Sequence, residues 1–332
     1  MRAALVTPLS GPLAIYGRAS AEALQLWADR YAPETTELHV VDAHPDPAAA
    51  AHRAEQHRPD LLFGPYGSGP AGRAADATDR LLWNHGGARI RPRQNVISVL
   101  APARTYFAGA VEVVRRADPE LRSAAVLHAA TGFARSVGRG AAGAAEQAGL
   151  DVERAVLPDP APAADLLLVA GRFEDELSVA RTLPRGPWRA VGLVAAGVRE
   201  VLAELGDLEG LLGPAQWLPS AAPEPEEGPG AEEFATAYQA RTGGEPPYPA
   251  AQAFAAGLVA ARCLRTAATA GDADVRAAAR QLDCTTLFGR FRLDADGRQS
   301  GHRVLTVQWQ DGVRRVVWPP ELATTHLRHP AR

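Results

Sequence analysis

Residues 59–88, PDLLFGPYGSGPAGRAADATDRLLWNHGGA, constrain what this chain can fold into more than any other stretch. Residues 60–63 read as a short apolar strand, 64–69 as a glycine-rich turn, 70–82 as a helix, and 83–88 as a second turn with Asn84 and His85 near its start. Strand, glycine turn, helix and turn make half of an α/β unit. In a parallel sheet two such turns at neighbouring strand ends lie side by side. Their free backbone N–H groups and the Ser68 hydroxyl can then converge on one small anion.

The same alternation runs through the chain. Residues 2–7 form a first strand, PLSGPLAIYG its exit loop, and 13–31 a helix; 37–42, 47–56 and 95–100 continue as strand, helix and strand. The pattern restarts near residue 102 with a strand at 123–128, a helix at 131–148 behind a threonine cap, and strands at 152–157 and 166–170. PDPAPAAD leaves no room for a full helix between those last two strands, so one crossover helix should be missing. Residues 190–194 read as a strand and AAGVREVLAELG as a helix; 231–241, 248–270 and 274–282 read as helices. A hairpin is expected around 294–297, and two strands about Asp311-Gly312. The expected fold class is α/β, with two doubly wound parallel-sheet lobes.

With 332 residues, 46% hydrophobic and 22% charged, the chain is long enough for two lobes with cores of their own. A formal charge of -3 and the lack of a basic cluster argue against nucleic acid as a partner. All 35 basic residues are arginine, which rules out the P-loop lysine and Schiff-base chemistry. Cys263 and Cys284 are too few for a disulfide scaffold or zinc cluster; a single bridge between them and a buried thiol acting as a small hydrophobe both stay open. MRAALVTPLSGP enters a strand at once, without the charged and apolar segments of an export signal, and no span is long enough for a membrane helix.

PLSGPLAIYG, LLFGPYGSG, LWNHGGA, VLAPARTYF, TGFARSVGRGAAGAAEQAGL, VAGRFED, GPAQWLP, YPAAQAFAAG and TLFGRFRLDADGRQSGHRVLTVQWQDG, in that order, resemble the type I periplasmic binding proteins. Within that family they resemble the branch of branched-chain amino-acid (leucine-binding-like) receptors of ABC transporters. The resemblance implies two lobes joined by three hinge crossings and closing on a ligand, with crossings near residues 100–102, 216–219 and 302–305. Lobe one is then 1–101 with 219–303, and lobe two 102–218 with 304–332.

By position in the family's motifs, Ser68, Gly86, Gly87 and Ala88 grip the ligand's carboxylate. A threonine hydroxyl usual at the position of Ala88 is missing, with Asn84 or His85 as its replacement. Tyr16 covers the ligand from lobe one, and Phe133 and Phe173 from lobe two. The acid that pairs with an amino-acid ammonium in lobe two falls on Ala195 or Ala196, while Arg172 adds a positive charge nearby. Each of these positions also has a plain structural use: turn serine, core aromatic or solvated arginine.

The first functional expectation is therefore a non-enzymatic receptor, monomeric and without cofactor or metal. It would deliver a small carboxylate, an amino acid or a related organic or aromatic acid, to an ABC permease from an extracytoplasmic position. A cytosolic sensor on the same fold is the alternative if Met1 is the native start. An enzyme is the third, opposed by the lack of a Gly-x-Ser-x-Gly elbow, a metal-spaced His pair, or Gly-x-Gly-x-x-Gly after the first strand. With the ammonium-pairing acid missing, some carboxylates lacking an α-amino group are expected to bind as well as leucine or valine. Glu174 and Asp175 are candidates to take over the ammonium.

Overall fold

The computed structural model describes residues 1–182, 187–198 and 208–330. The chain divides into two compact units, residues 1–102 with 217–303 and residues 103–216 with 304–332. It therefore passes between them three times.

Unit 1 begins with β1 (Arg2–Thr7), α1 (Ala14–Arg30), β2 (Glu37–Asp42), α2 (Pro47–Glu55), β3 (Leu61–Phe63), α3 (Ser68–Asp76), β4 (Leu82–Asn84) and β5 (Val96–Ser98). The strands pair in parallel in the order β2-β1-β3-β4-β5. Both faces of such a sheet are covered, so its inner strands β1, β3 and β4 are buried almost throughout, without alternation. One face packs Ala4, Val6, Leu62, Leu82 and Val96 against Ala50, Ala54 and Ala75, small residues that let α2 and α3 come close. On the other, Trp27 of α1 meets Phe63 edge-on at 5.9 Å.

The helix expected over 70–82 ends at Asp76, and Leu82–Asn84 is a strand. Thr78 Oγ1 accepts the Arg80 N–H and Asp272 accepts the Leu81 N–H, so the chain turns here. Leu82 and Trp83 then slot between β3 and β5, where burial outweighs helix propensity.

Unit 2 contains α4 (Ala108–Ala117), β6 (Ser123–His128), α5 (Gly132–Gln147), β7 (Asp151–Val156), β8 (Leu166–Ala170), α6 (Phe173–Thr182), β9 (Ala190–Leu193) and β10 (Leu212–Ala215). Thr131 caps α5 by accepting the Ala134 N–H, and no helix separates β7 from β8. The order is β14-β13-β10-β9-β8-β6-β7. Its run β7-β6-β8-β9-β10 is parallel and repeats the arrangement of unit 1. Two antiparallel strands, β13 (Leu305–Gln310) and β14 (Val313–Trp318), extend it. Their turn places Asp311 at φ 55° and Gly312 at φ 74°, the left-handed pair that a two-residue hairpin requires. The helix expected from Ala195 does not start there: Ala195–Gly197 is one short 3-10 turn and Val198 is extended. Residues 199–207, where that helix would continue, lie outside the described residues.

Between these segments the chain returns to unit 1 with α7 (Ala231–Thr242), α8 (Tyr248–Thr266), α9 (Asp272–Gln281), β11 (Asp283–Thr286) and β12 (Gly289–Arg292). The paired strands β11 and β12 make one hairpin, turning at the buried Leu287 and Phe288. The expected turn at 294–297 follows it: the Gly297 N–H donates to the Asp294 carbonyl, the Asp294 N–H to the Arg298 carbonyl, and Leu293 and Gln299 form an antiparallel bridge. Cys263 and Cys284 are both buried free thiols.

Candidate ligand site

A parallel sheet of order 2-1-3-4-5 opens a crevice beyond the carboxyl ends of its first and third strands, because the chain leaves them in opposite directions. In unit 1 the loops there are residues 8–13 after β1 and 64–67 after β3, with 85–88 following β4. The second and third loops are joined at two points. The Gly67 N–H donates to the Gly86 carbonyl at 2.9 Å, and the Arg89 N–H to Ser68 Oγ at 3.1 Å. Gly86 is required by this contact, since a Cβ there would lie 2.4 Å from the Tyr66 Cα.

Ser68 opens α3, and its hydroxyl oxygen already accepts from Arg89, so its one proton is directed elsewhere. Among the described residues nothing accepts that proton, nor the N–H groups of Gly69, Gly86 and Ala88. With the partial positive charge of the α3 N-terminus, these donors suit an anion.

Two of the expected donors do other work. Asn84 is fully buried; its Oδ1 accepts the Gly87 N–H at 2.8 Å, and its Nδ2 donates to the Gly87 carbonyl and to Ser98 Oγ. Neither Asn84 nor the Gly87 N–H is therefore left for a ligand. They shape the turn that presents Gly86 and Ala88. His85 is fully buried with no hydrogen-bond partner at either ring nitrogen. Burial pushes it down to about 4, against a weaker opposing influence of the Gly64 backbone, so the ring is neutral, with one N–H donor and one acceptor nitrogen.

Tyr16 stacks on Tyr66 with ring centroids 4.8 Å apart and lies 6.5 Å from Tyr248. The Tyr66 and Tyr248 hydroxyls hydrogen-bond to each other. Tyr16 was among the residues expected at a ligand site; Tyr66 and Tyr248, which pack with it, were not. Tyr66 sits in the same glycine turn as Ser68, and an aromatic in a turn that otherwise favours small residues was the available signal. Tyr248 reads only as a helix start until α8 is seen beside α1.

In unit 2, Phe133 lies half-buried in the first turn of α5, edge-on to Tyr106 at 5.7 Å. Arg172 is exposed immediately before α6. Phe173, expected as a ligand wall, packs half-buried against the core around Val169, Leu193 and Ala195. Ala195 and Ala196 are fully buried. Of the acids beside them, Glu174 is exposed and Asp175 accepts the Arg172 N–H, closing the first turn of the helix. The acid missed is Glu176. It is fully buried, with Oε1 accepting the Gly171 N–H at 2.7 Å and Oε2 the Ala195 N–H at 2.6 Å. Burial pushes its carboxyl up to about 8, opposed by the Ala195, Gly171 and Val194 backbone and reinforced by Asp175. In the run FEDEL it looks like one more solvated helix acid.

A cavity of about 460 Å³ at the opposite ends of β4 and β5 is lined by Asp76, Arg93, Asp272 and Arg276. Asp76 pairs there with Arg93, and Asp272 with Arg80. The described residues hold no group of three or more His, Cys, Asp or Glu able to bind a metal, and no helix is long and apolar enough to cross a membrane.

Residues 1–313 match the family model described as periplasmic binding protein. The chain belongs to that family. Solved structures similar to this periplasmic binding protein include a putative branched-chain amino acid ABC transporter protein from Silicibacter pomeroyi, at 14% identity and TM-score 0.81, covering 99% of both chains. Another is the branched-chain amino acid transporter substrate binding protein LivJ from Streptococcus pneumoniae in complex with isoleucine. It has 16% identity and TM-score 0.75, covering 96% of this chain and 99% of that one. A third is an ABC transporter solute binding protein from R. palustris in complex with benzoate, with 15% identity, TM-score 0.71 and 95% of each chain covered. At these identities the likeness establishes the two-lobed type I fold, and the family implies a small ligand and an ABC transporter partner.

Proposed function

We propose that this protein is a non-enzymatic receptor that captures a small carboxylate, an amino acid or a related organic or aromatic acid, for an ABC permease outside the cytoplasm. The observation that carries the proposal is the joined pair of turns in unit 1. There the Ser68 hydroxyl and the Gly69, Gly86 and Ala88 N–H groups meet no acceptor among the described residues, with no acid from residue 64 to 75 or from 81 to 95. Preformed donors to a carboxylate make strong, charge-assisted bonds. The Tyr16, Tyr66 and Tyr248 rings beside them offer an apolar wall to the rest of the ligand. The similar proteins described with isoleucine and with benzoate make both an aliphatic amino acid and an aromatic acid reasonable first probes.

A thermal-shift screen over amino acids, aromatic acids and short dicarboxylates should show midpoints raised by carboxylates and not by their amides. By titration calorimetry, Ser68→Ala should weaken the best carboxylate by about 1–3 kcal/mol with the unfolding midpoint unchanged. Equal affinity in the variant would remove Ser68 from the site.

A further inference from the structure

We propose that Arg73, Arg89 and Arg91 form an electrostatic approach to the donor-bearing turns of unit 1, which biases the protein toward net-anionic carboxylates and against zwitterionic amino acids. This rests on the carboxylate-receptor reading above and narrows it to a charge class.

The loop between β4 and β5 runs back along α3 and is tied to it at both ends. The Arg89 N–H donates to Ser68 Oγ where the helix starts, and Arg93 pairs with Asp76 where it ends. Loop and helix also touch directly, since a Cβ on Gly87 would lie 2.7 Å from the Ala71 Cβ. The nine residues of α3 span about 13 Å. Arg73 on the helix and Arg91 between the two ties therefore have their backbones within roughly that distance of Ser68, and Arg89 follows Ala88 directly.

All three arginines are exposed, and among the described residues none of their side chains is in an ion pair or hydrogen bond. With no acid from residue 64 to 75 or from 81 to 95, and with Asp76 neutralised by Arg93, their charges stand uncompensated along this strip. Acids on adjoining elements are matched where they stand. Asp272 pairs with Arg80, and Asp296 with Arg298. Asp42 holds the Leu9 N–H and the Ser10 hydroxyl, while Arg18 donates to the Leu9 carbonyl and Arg53 to the Asp42 carbonyl. Asp79 is exposed but follows the far end of α3, away from Ser68.

Exposed charges act on an arriving ligand through their field rather than by contact. That field persists over about 10 Å at 0.1 M ionic strength and about 30 Å at 0.01 M. Uncompensated arginines beside the turns thus raise the arrival rate of an anion, and of a dianion more. A zwitterion, whose charges sum to zero, gains little.

The test is stopped-flow association with the intact protein. Leucine serves as zwitterion, 4-methylpentanoate and benzoate as monoanions and glutarate as dianion, together with the best binder of each charge class from the screen above. Arg73→Gln combined with Arg91→Gln leaves Arg89 in place, because its N–H shapes the turn. At about 10 mM salt this pair should slow monoanion association roughly threefold, and the effect should vanish at about 0.5 M. Dissociation rates and leucine association should not change, so the affinity ratio of monoanion to leucine falls by the same factor.

If the double variant does not fold, the wild type decides: anion association should slow with rising salt while that of leucine does not. Anion rates independent of salt overturn the proposal and leave the receptor reading standing, as does binding confined to zwitterions. No binding in any charge class overturns both. Arginines with a merely structural role would lower the unfolding midpoint and slow anions and leucine together when replaced, which would also overturn the proposal.

Discussion

Units 1 and 2 run their parallel strands in the same order, yet the turns at their carboxyl ends are wired in opposite ways. In unit 1 a neutral side chain, Asn84, satisfies one turn from within, and a neighbouring turn is stitched to it through Ser68 and Gly67. The outer N–H groups stay available. In unit 2 a single acid, Glu176, gathers an N–H from each of two turns and leaves neither for a ligand. One topology thus yields a donor-rich end and an end whose donors are taken up by a buried carboxyl group. Strand order places the turns, whereas the few polar side chains under them decide which backbone donors stay available.

The largest effect expected from breaking this contrast is in unit 2. Glu176→Ala orphans two buried N–H groups and should cost roughly 2–6 kcal/mol of stability by denaturant unfolding. A loss below about 1 kcal/mol would mean that the turns are held by packing alone. Next in size, Asn84→Ala should cost about 2–4 kcal/mol, since Gly87 loses partners for both its N–H and its carbonyl. Carboxylate affinity should fall with it; retained affinity would show that the turn holds its shape without the amide.

The third test uses pH, because His85 in unit 1 and Glu176 in unit 2 shift in opposite directions. His85 falls from 6.5 to about 4, so the stability it contributes is present above pH 6.5 and is lost as pH falls through 4. Glu176 rises from 4.5 to about 8, so its contribution is present below pH 4.5 and is lost as pH rises through 8. Unfolding curves from pH 4 to 9 should show both limbs, each of a few kcal/mol at most, with the acid limb flattened in His85→Leu. An unchanged acid limb in that variant would clear the imidazole of responsibility. Smallest of all, Asp175→Ala should cost about 1 kcal/mol through the lost helix cap. A loss near zero would mean that the Arg172 N–H is satisfied without the carboxylate.

The fold was more legible in the sequence than the site. Strands such as Glu37–Asp42, Ser123–His128 and Leu166–Ala170 announce themselves as apolar runs between turn residues, and their bounds agree with the structure. Leu82–Asn84 does not, because Leu81 to Trp83 also fits the apolar end of the preceding helix, and only the gap between β3 and β5 resolves the ambiguity. At the site, residue type says what a side chain can bond to but not which groups surround it. Asn84 and Gly87 looked like ligand donors and are each other's partners. Phe173 looked like a wall and is partly core. Tyr66 and Tyr248, separated widely in sequence, acquire meaning only where α8 and the glycine turn meet.

The position of β13 bears on how the protein is made. Its antiparallel neighbour β10 ends at Ala215, and β13 begins at Leu305, after residues 217–303 have been spent on unit 1. A chain leaving the ribosome therefore carries β10, all four of its residues destined for burial, with one edge unpaired while most of another unit is being synthesised. Until β13 arrives, that edge is open to strands from other nascent chains. Unit 2 is thus the one that should call on holding chaperones during translation, although its parallel strands are completed well before the last segment of unit 1.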